Sequence, residues 1–307
     1  YQICQILNPT NCDTAIVTIP VTAAAIDAVN DTIASTNGTN GNPNAGNVLT
    51  SNGNGPDTLN GAPATTSQVT ISIVTPATPV SPGAPVPSVD PVTGQISIPA
   101  NTPAGNYTIT YQICEILNPT NCDTAVVTVP VSAATIVAND DTMPSTIGMV
   151  GNANLGNVLP NNGNGPDTLN GTPLANLALV TMTVTNPATP IGGGLVPTLD
   201  TTTGVVSVPV GTPAGTYTIT YQICQILNPT NCDTAIVTIP VSAAQIVAND
   251  DAGSQINSIT GGTAFTNVLV NDTLNGSPVI PSQVITTFVS STNPGITLSG
   301  TNVIVAA

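Results

Sequence analysis

The chain has 307 residues, with fourteen Asp, one Glu and no Lys, Arg or His, so its net charge at neutral pH is −15. Nucleic acid and anionic membranes are not expected partners, because their phosphates bind Lys and Arg. Without His or Lys, the commonest general base and the Schiff-base amine are absent, so no enzymatic activity is expected. No run of 18 apolar residues occurs, so membrane insertion is not expected either.

One segment occurs three times, beginning at Tyr1, Tyr111 and Tyr221, with a period of 110 residues. The first and third copies, YQICQILNPTNCDTAIVTIPV, are identical over 21 residues. A period of this length equals one small β domain and exceeds that of solenoid repeats. The sequence therefore predicts a tandem array of domains, in which each domain has its neighbours in the chain as partners.

Each unit predicts seven or eight short strands, because Val, Ile and Thr alternate with polar residues between frequent Pro and Gly. A short strand and an Asn30-Asp31 turn begin the unit, and a Gly/Asn stretch leads to the turn Asp57–Gly61. An alternating strand at Gln68–Val74 and a hairpin around Asp90–Gly94 follow, and the Tyr/Cys segment closes the unit. The predicted fold class is all-β, with tandem Ig-like antiparallel β-sandwich domains of about 110 residues each.

The predicted boundaries define four parts. Residues 1–24 are the closing hairpin of a truncated Ig-like repeat (the N-terminal hairpin), and residues 25–133 and 134–243 are complete repeats (the first and second repeats). Residues 244–307 are an Ig-like repeat that lacks its closing hairpin (the third repeat). We therefore expect the chain to be a window of a longer array.

The six Cys form three C-x7-C pairs, and side-chain alternation places each Cys on the outer face of its strand. A metal site is less favoured than a disulfide, because each pair offers zinc only two ligands. Disulfides persist in oxidising surroundings, so we expect an extracellular protein. The predicted bonds are Cys4–Cys12, Cys114–Cys122 and Cys224–Cys232.

The Tyr residues lie on the inner face of the same strand. The sequence Pro-Ala-Gly-x-Tyr before Tyr107 and Tyr217 resembles a tyrosine corner, in which the phenol binds nearby backbone. All five Tyr belong to this core-facing strand, which leaves none of them for stacking on sugars.

Several motifs together resemble a known group of repeats. Units begin with Asn-Asp-Asp, contain Asn-Val-Leu-x-Asn-Asp (Asn267–Asp272) and close with Gly-Thr-Tyr-Thr-Ile-Thr-Tyr. This pattern resembles the tandem Ig-like or cadherin-like repeats of Bacteroidetes (flavobacterial) cell-surface adhesins, and is similar to those of the giant gliding-motility adhesins. The resemblance implies export by type IX secretion, a place on the bacterial cell surface and a role as a stalk.

Asp-Thr pairs are unusually frequent, since nine of the fourteen Asp precede Thr. Asp-Thr followed by a small or apolar residue, or by Thr, looks like the general O-glycosylation motif of Bacteroidetes. The alternative is that Asp-Thr ends a turn and begins a strand. The candidate glycan acceptors are Thr14, Thr32, Thr58, Thr124, Thr142, Thr168, Thr201, Thr234 and Thr273.

Calcium is a second possible ligand. Acidic pairs lie at the predicted unit junctions, where cadherin-like arrays hold ions that stiffen the linker, and Ca²⁺ prefers such oxygen ligands. Asx-turns explain the same residues without a metal. The candidate ligands are Asp140, Asp141, Asp250 and Asp251.

Three functional hypotheses follow. The favoured one is a stalk in a secreted, surface-attached adhesin, disulfide-bonded and O-glycosylated. The alternative is a self-assembling extracellular filament, in which β-strand complementation joins identical chains head to tail. That model has one difficulty: Val303–Ala307 aligns with Val205–Val210, so a donor starting at Tyr1 would lack half of a strand. A third hypothesis places binding sites in the Gly/Asn loops at 36–47 and 51–56.

Overall fold

The computed structural model describes residues 1–160 and 162–307. Over these residues the regular structure consists of short β-strands and one 3-10 turn at Pro281–Gln283. The described part of the chain therefore contains no helix that could cross a bilayer. The chain folds into two compact units, Tyr1–Thr135 with Cys224–Asn231, and Ile136–Ile223 with Cys232–Ala307. The predicted boundaries of the repeats stay predictions.

The first unit contains the N-terminal hairpin and the first repeat. The strands of the hairpin are β1 (Gln2–Gln5) and β2 (Asn8–Thr14). The strands of the first repeat are β3 (Ile26–Asp27), β4 (Asp31–Thr32), β5 (Thr36–Asn37), β6 (Asn42–Asn47), β7 (Thr58–Leu59), β8 (Ala62–Pro63), β9 (Val69–Thr75), β10 (Ser88–Val89), β11 (Gln95–Ile98), β12 (Gly105–Glu115) and β13 (Cys122–Ser132).

The first repeat is a sandwich of two sheets. One sheet has the order β4-β13-β12-β9, with β5 also on β13, and the other has the order β10-β11-β6. Strands β3, β7 and β8 form a small third sheet. Antiparallel pairing dominates, but β4 and β5 run parallel to β13, with Asp31 opposite Val127 and Thr36 opposite Val131. The predicted Ig-like antiparallel β-sandwich is confirmed.

The core lies between the two sheets and consists of aliphatic residues and Tyr. Every second residue of β12 and β13 is buried, as the alternation of the sequence predicts. Ile96 and Ile98 on β11 pack in one cluster with Ile109 and Val127 of the other sheet. The chain contains no Trp, so these small side chains provide the apolar burial that stabilises the repeat.

The second unit contains the third repeat and most of the second repeat, whose residues Cys224–Asn231 belong to the first unit. The second repeat has the same topology, with one sheet of order β15-β24-β23-β20 (and β16 on β24) and another of order β17-β22-β21. Its strands are β14 (Ile136–Val137), β15 (Asp141–Thr142), β16 (Thr146–Ile147), β17 (Asn152–Asn157), β18 (Thr168–Leu169), β19 (Thr172–Pro173), β20 (Val180–Asn186), β21 (Thr198–Leu199), β22 (Val205–Val208), β23 (Gly215–Gln225) and β24 (Cys232–Ser242).

The third repeat forms two small sheets, of order β25-β27-β28 and β26-β30-β29. Its strands are β25 (Ile246–Val247), β26 (Gly262–Phe265), β27 (Thr273–Leu274), β28 (Ser277–Pro278), β29 (Ile296–Ser299) and β30 (Asn302–Val305).

Turn chemistry explains the small hairpin of each repeat. Asn60 and Gly61 have φ values of 51° and 75°, which fit the type I′ turn that an Asn-Gly pair favours. The predicted hairpin at Asp90–Gly94 is also confirmed, because the amide of Gly94 donates to the carbonyl of Asp90.

The three predicted disulfides are present. Cys4 bonds to Cys12 and Cys114 bonds to Cys122. Cys224 and Cys232 are also disulfide-bonded, and no free Cys occurs among the described residues. The tyrosine corners are confirmed as well, because the hydroxyls of Tyr107 and Tyr217 each donate to a Pro carbonyl four residues earlier, at 2.8 Å.

One expectation is wrong, because not every Tyr faces a core. Tyr1 is 71% exposed, and Ile3 on the same strand is also exposed. Within the described part of the chain, the two strands of the N-terminal hairpin pair only with each other, so no second sheet covers their apolar face.

The disulfide of the first repeat gives a stability prediction. Replacing Cys114 and Cys122 by Ala should lower the free energy of unfolding of that repeat by about 2–3 kcal/mol, because the closed loop limits the unfolded chain. Scanning calorimetry measures the change. The matched control replaces Cys4 and Cys12, whose hairpin packs on no core, and should leave the main transitions in place. Equal effects from the two pairs would contradict the prediction.

Candidate functional site

A buried tyrosine hydroxyl in each complete repeat lies among carboxylates. In the first repeat the Tyr111 hydroxyl is 3.1 Å from Asp31 Oδ2 and 3.1 Å from Asp57 Oδ2. The carbonyl oxygens of Val29 and Val48 lie 3.2 and 3.3 Å from the same hydroxyl. We call these five residues the first acidic cage. Tyr111, Asp31 and Asp57 are each at most 2% exposed.

The cage brings together residues that are far apart in sequence. Asp31 lies on β4, which β13 holds by parallel pairing. Asp57 precedes β7, and its Oδ1 accepts a hydrogen bond of 2.7 Å from the Val29 amide. Tyr111 lies at the middle of β12, where alternation turns the ring into the core. The fold therefore buries two acids and a phenol together inside the repeat.

Burial changes the acidity of all three groups. Desolvation raises the pKa of Asp31 to about 7 and that of Asp57 to about 6, although hydrogen bonds from neighbouring groups lower both values. Burial and the two nearby carboxylates raise the pKa of Tyr111 well above its ordinary value, so the phenol stays protonated. One phenol proton serves several acceptors, so the cage favours an additional positive charge.

The second repeat contains an equivalent cage. The Tyr221 hydroxyl lies 3.0 Å from Asp141 Oδ2, 3.1 Å from Asp167 Oδ2 and 3.3 Å from the Asn139 carbonyl. Burial raises the pKa of Asp141 to about 7 and that of Asp167 to about 6. The same chemistry thus recurs with the period of the repeat.

The two cages differ in the hydrogen bonds of their first Asp. In the second repeat, Asn162 Nδ2 donates to Asp141 Oδ1 at 3.0 Å. Asn162 Nδ2 also donates to the Asn157 carbonyl at 2.6 Å, as the Nδ2 of the corresponding Asn52 does to the Asn47 carbonyl at 2.8 Å, and Asn52 lies near enough to Asp31 to lower the pKa of its carboxyl. Asp31 Oδ1 is buried and has no hydrogen-bond partner.

The third repeat has a cavity of about 670 Å³ at the corresponding place. Asn249, Asp251, Val268 and Asp272 are among its lining residues, and the Asn249 amide donates to Asp272 Oδ1 at 2.7 Å. Val268 corresponds to Val48, and Asp272 begins the same Asp-Thr-Leu-Asn-Gly turn as Asp57. Residues 244–307 contain no Tyr.

The acidic residues predicted as junction calcium ligands do not lie together as pairs. Asp141 is buried in the second cage, whereas Asp140 is exposed and its Oδ1 accepts from the Ile236 amide at 2.8 Å. In the first repeat the neutral Asn30 has the same role, accepting from the Val126 amide. Asp250 and Asp251 are both exposed. Over the described residues, no group of three or more His, Cys, Asp or Glu forms a candidate metal site.

The Asp residues of the Asp-Thr pairs have structural roles. Asp123 Oδ2 accepts from the Ala28 amide, and Asp233 Oδ2 accepts from the Ala138 amide. Asp200 accepts hydrogen bonds from Thr202 and Thr203 within its turn, which lower the pKa of that carboxyl. The frequency of Asp-Thr therefore has a local structural explanation, and each Thr must be judged by its own exposure.

The candidate acceptors divide into two groups by exposure. The exposed ones are Thr14, Thr32, Thr124, Thr142 and Thr234. The half-buried ones are Thr58, Thr168, Thr201 and Thr273.

Sequence reasoning missed the cages. One signal for them was available, since a Tyr that faces a core needs a partner for its hydroxyl. The other signal was the recurrence of Asp31 and Asp57 at equivalent positions in the second repeat.

Comparison with known proteins gives limited information. No family model and no curated protein matches the sequence. Among solved structures, the chain is similar to extracellular cadherin domains 3–6 of protocadherin gamma B2, with a TM-score of 0.28 and 11% identity over 72% of this chain and 51% of that one. It is also similar to the human desmocollin-1 ectodomain (TM-score 0.28, 11% identity, 75% of this chain and 43% of that one). A third similar structure is mouse cadherin-23 EC22-24 (TM-score 0.26, 13% identity, 72% of this chain and 65% of that one).

The chain spans about half the length of the first two of these structures. Because the TM-scores and identities are low, these similarities carry no argument about function.

The cages predict an unusual dependence of stability on pH. The Asp pKa values are raised above the unfolded value of 3.8, so the folded state binds more protons than the unfolded state. The contribution of these groups to the unfolding free energy should be greatest below about pH 4 and be lost as the pH rises from there through about 6–7. The fall should be on the order of a few kcal/mol per repeat, because one pKa unit corresponds to about 1.4 kcal/mol.

Calorimetry at about pH 5 and pH 8 measures this dependence. Acidic neighbours also raise the pKa values of Asp57, Asp141 and Asp167, because their negative charges oppose ionisation. These neighbours are Asp27, Asp123, Asp140 and Asp233. The control variant replaces Asp31, Asp57, Asp141 and Asp167 by Asn and should show a flatter profile. Equal pH dependence in the variant would show that other groups cause it.

Proposed function

We propose that this chain is a structural repeat region, the stalk of a secreted, surface-attached adhesin. The main support is that two successive repeats fold as the same sandwich, and each is closed by a disulfide-bonded hairpin. Disulfides at all six Cys favour an extracellular protein. A bacterial cell surface, type IX secretion and gliding motility belong to this proposal through the resemblance of the motifs alone.

The architecture supports a structural role more than a binding role. Segment 36–47 lies largely in β5 and β6, which pair within the sandwich. Asn52 and Asn54 in the second loop donate to the carbonyls of Asn47 and Asn30. These polar side chains therefore form hydrogen bonds with backbone carbonyls of their own repeat. A structural stalk also requires no enzymatic activity.

A covalent stalk predicts continuous chains. Native material imaged by electron microscopy should show beaded fibres that keep their length after treatment with denaturant and electrophoresis, because peptide bonds join the repeats. Fibres that dissociate in denaturant into short chains of uniform length would overturn the stalk and support assembly from subunits.

One pair of observations favours the filament as a second candidate. The N-terminal hairpin exposes Tyr1 and Ile3, which correspond to the buried Tyr111 and Ile113. The third repeat has a cavity at the place that a Tyr fills in the other repeats. Light scattering of the purified chain should then show mass increasing with concentration, and Tyr1→Asp should abolish the increase. A mass independent of concentration would exclude this assembly.

We include O-glycosylation of the stalk in the proposal, and exposure makes it specific. An enzyme that modifies the folded protein needs an accessible hydroxyl, so Thr32, Thr124, Thr142 and Thr234 should carry glycan, whereas Thr58 and Thr168 should not. Peptide mapping of native material by mass spectrometry measures this. An intact mass equal to that of the bare chain would refute glycosylation, and equal occupancy of both groups would refute selection by exposure.

A further inference from the structure

We propose that the tip of the second repeat's closing hairpin is a docking element for the first repeat, and that the tip's disulfide strengthens the docking. This second tip is the loop Cys224–Cys232, which joins β23 to β24 and is closed by the disulfide. Residues Cys224–Asn231 belong to the first unit, although the chain on either side of them belongs to the second unit. The docking goes beyond the proposed stalk, because it would serve a filament equally well.

Two hydrogen bonds join the second tip to the first repeat. The side-chain amide of Gln225 donates from Nε2 to Thr39 Oγ1 at 3.0 Å. The backbone amide of Ala104 donates to Asn228 Oδ1 at 2.7 Å. These bonds connect residues that are 186 and 124 positions apart, so no local turn accounts for them. Gln225 is 2% exposed, and a buried amide of this kind requires partners inside the protein.

The receiving surface in the first repeat is formed by two loops. Thr39 lies between β5 and β6, and Ala104 directly precedes β12. The loops bond to each other, since the Thr102 amide donates to the Gly38 carbonyl at 3.0 Å. A side chain at Gly38 would collide with the Thr102 carbonyl, so this close approach requires glycine. The first repeat itself therefore holds in place the two groups that meet the tip.

The second tip keeps its shape through its own bonds. Gln225 Oε1 accepts from Asn228 Nδ2 at 2.8 Å and from Asn231 Nδ2 at 3.1 Å, while Nε2 of the same amide serves Thr39. The disulfide closes the loop at its base. A preformed element loses less conformational entropy on docking than a flexible loop does, so the disulfide favours the docked state.

The first repeat provides an internal comparison for the tip. The segment Ile-Leu-Asn-Pro-Thr-Asn is the same in the first tip (Cys114–Cys122) and in the second. In the first tip, Leu117 is 86% exposed and Asn118 is also exposed. In the second tip, Leu227 and Asn228 are half-buried. Because the two segments have the same sequence, the difference in burial comes from what surrounds the second tip.

The receiving surface shows the matching contrast. In the first repeat Pro103 is buried and Ala104 is half-buried. At the equivalent positions of the second repeat, Pro213 is half-buried and Ala214 is exposed. The hydroxyl partner is changed as well, because Met149 occupies the position of the threonine. The surface is therefore covered in the repeat that carries both polar partners for a tip.

Amide hydrogen exchange of the full chain, followed residue by residue by NMR, tests the docking directly. In the wild type the Ala104 amide should exchange slowly, because it donates to Asn228. Asn228→Ala removes the acceptor and should accelerate this exchange about tenfold, the effect of losing one hydrogen bond. The matched control Asn118→Ala, at the same position of the first tip, should leave it unchanged. The Tyr111 amide, inside the sheet, should stay protected in both variants, which shows that the repeat is folded.

The disulfide gives a second measurement at the same amide. Replacing Cys224 and Cys232 by Ser should accelerate exchange of the Ala104 amide, because an open loop docks less well. Replacing Cys114 and Cys122 by Ser opens the disulfide of the repeat that contains Ala104, yet it should accelerate this exchange less. A general loss of stability predicts the reverse order, because it acts most strongly within the repeat that is changed.

The proposal fails if the Ala104 amide of the wild type exchanges as fast as an unprotected amide. It also fails if Asn228→Ala leaves the exchange rate unchanged, or if the two disulfide variants accelerate it equally. Equal acceleration by Asn118→Ala would overturn it too, since that result would show a general loosening of the first repeat. Chain length in native fibres plays no part in these measurements, so the docking and the stalk can fail separately.

Discussion

The hydroxyl of an inward-facing tyrosine connects the parts of each complete repeat. In the first repeat, Tyr111 on the long strand β12 contacts Asp31 at the start of the five-stranded sheet and Asp57 before the small hairpin. The two Asp residues are 80 and 54 residues away from the tyrosine, so this contact fixes long-range topology and not a local turn. Because the chain has no Lys, Arg or His, no cationic side chain balances these carboxylates, and the same contact makes the stability of the fold depend on pH.

The rest of the sandwich is stabilised by apolar packing and a disulfide, which do not depend on this polar centre. Val127, Val129 and Ile113 are completely buried, and the chain contains no Trp, the residue that many Ig-like domains bury in their core. The disulfide lies at the far tip of the hairpin, where Cys114 and Cys122 are half-buried. Apolar packing and the covalent bond therefore stabilise the hairpin independently of pH, while the cage responds to it. In each repeat, apolar packing and the disulfide therefore give stability that is independent of pH, and the cage gives stability that depends on pH.

Much of this architecture could be predicted from sequence, because it rests on local rules. Alternation along β12 and β13 predicted the inner and outer faces and supported the pairing of Cys114 with Cys122, and the sequence Pro-Ala-Gly-x-Tyr predicted the tyrosine corner at Tyr107. The cage could not be predicted, because Asp31 and Asp57 lie 80 and 54 residues from Tyr111 and meet it only in the folded repeat. The separation of Asp140 from Asp141 also appears only in the structure, where Asp141 is buried and Asp140 is exposed. The parallel pairing of β4 and β5 with β13 left no local pattern, because two-residue strands are too short to show a period.

That parallel pairing has a mechanical consequence. The strands that enter the first repeat, β4 and β5, lie beside the strand that leaves it, β13, and run in the same direction. A pull on the two ends of the repeat therefore draws these neighbours past each other in opposite directions. The hydrogen bonds from Ile33 to Thr128 and from Gly38 to Ser132 are then loaded in shear, all at once, and do not open one after another. Resistance to such a pull depends on the rate of forced unfolding and not on equilibrium stability. A marginally stable repeat of this kind can therefore still transmit tension.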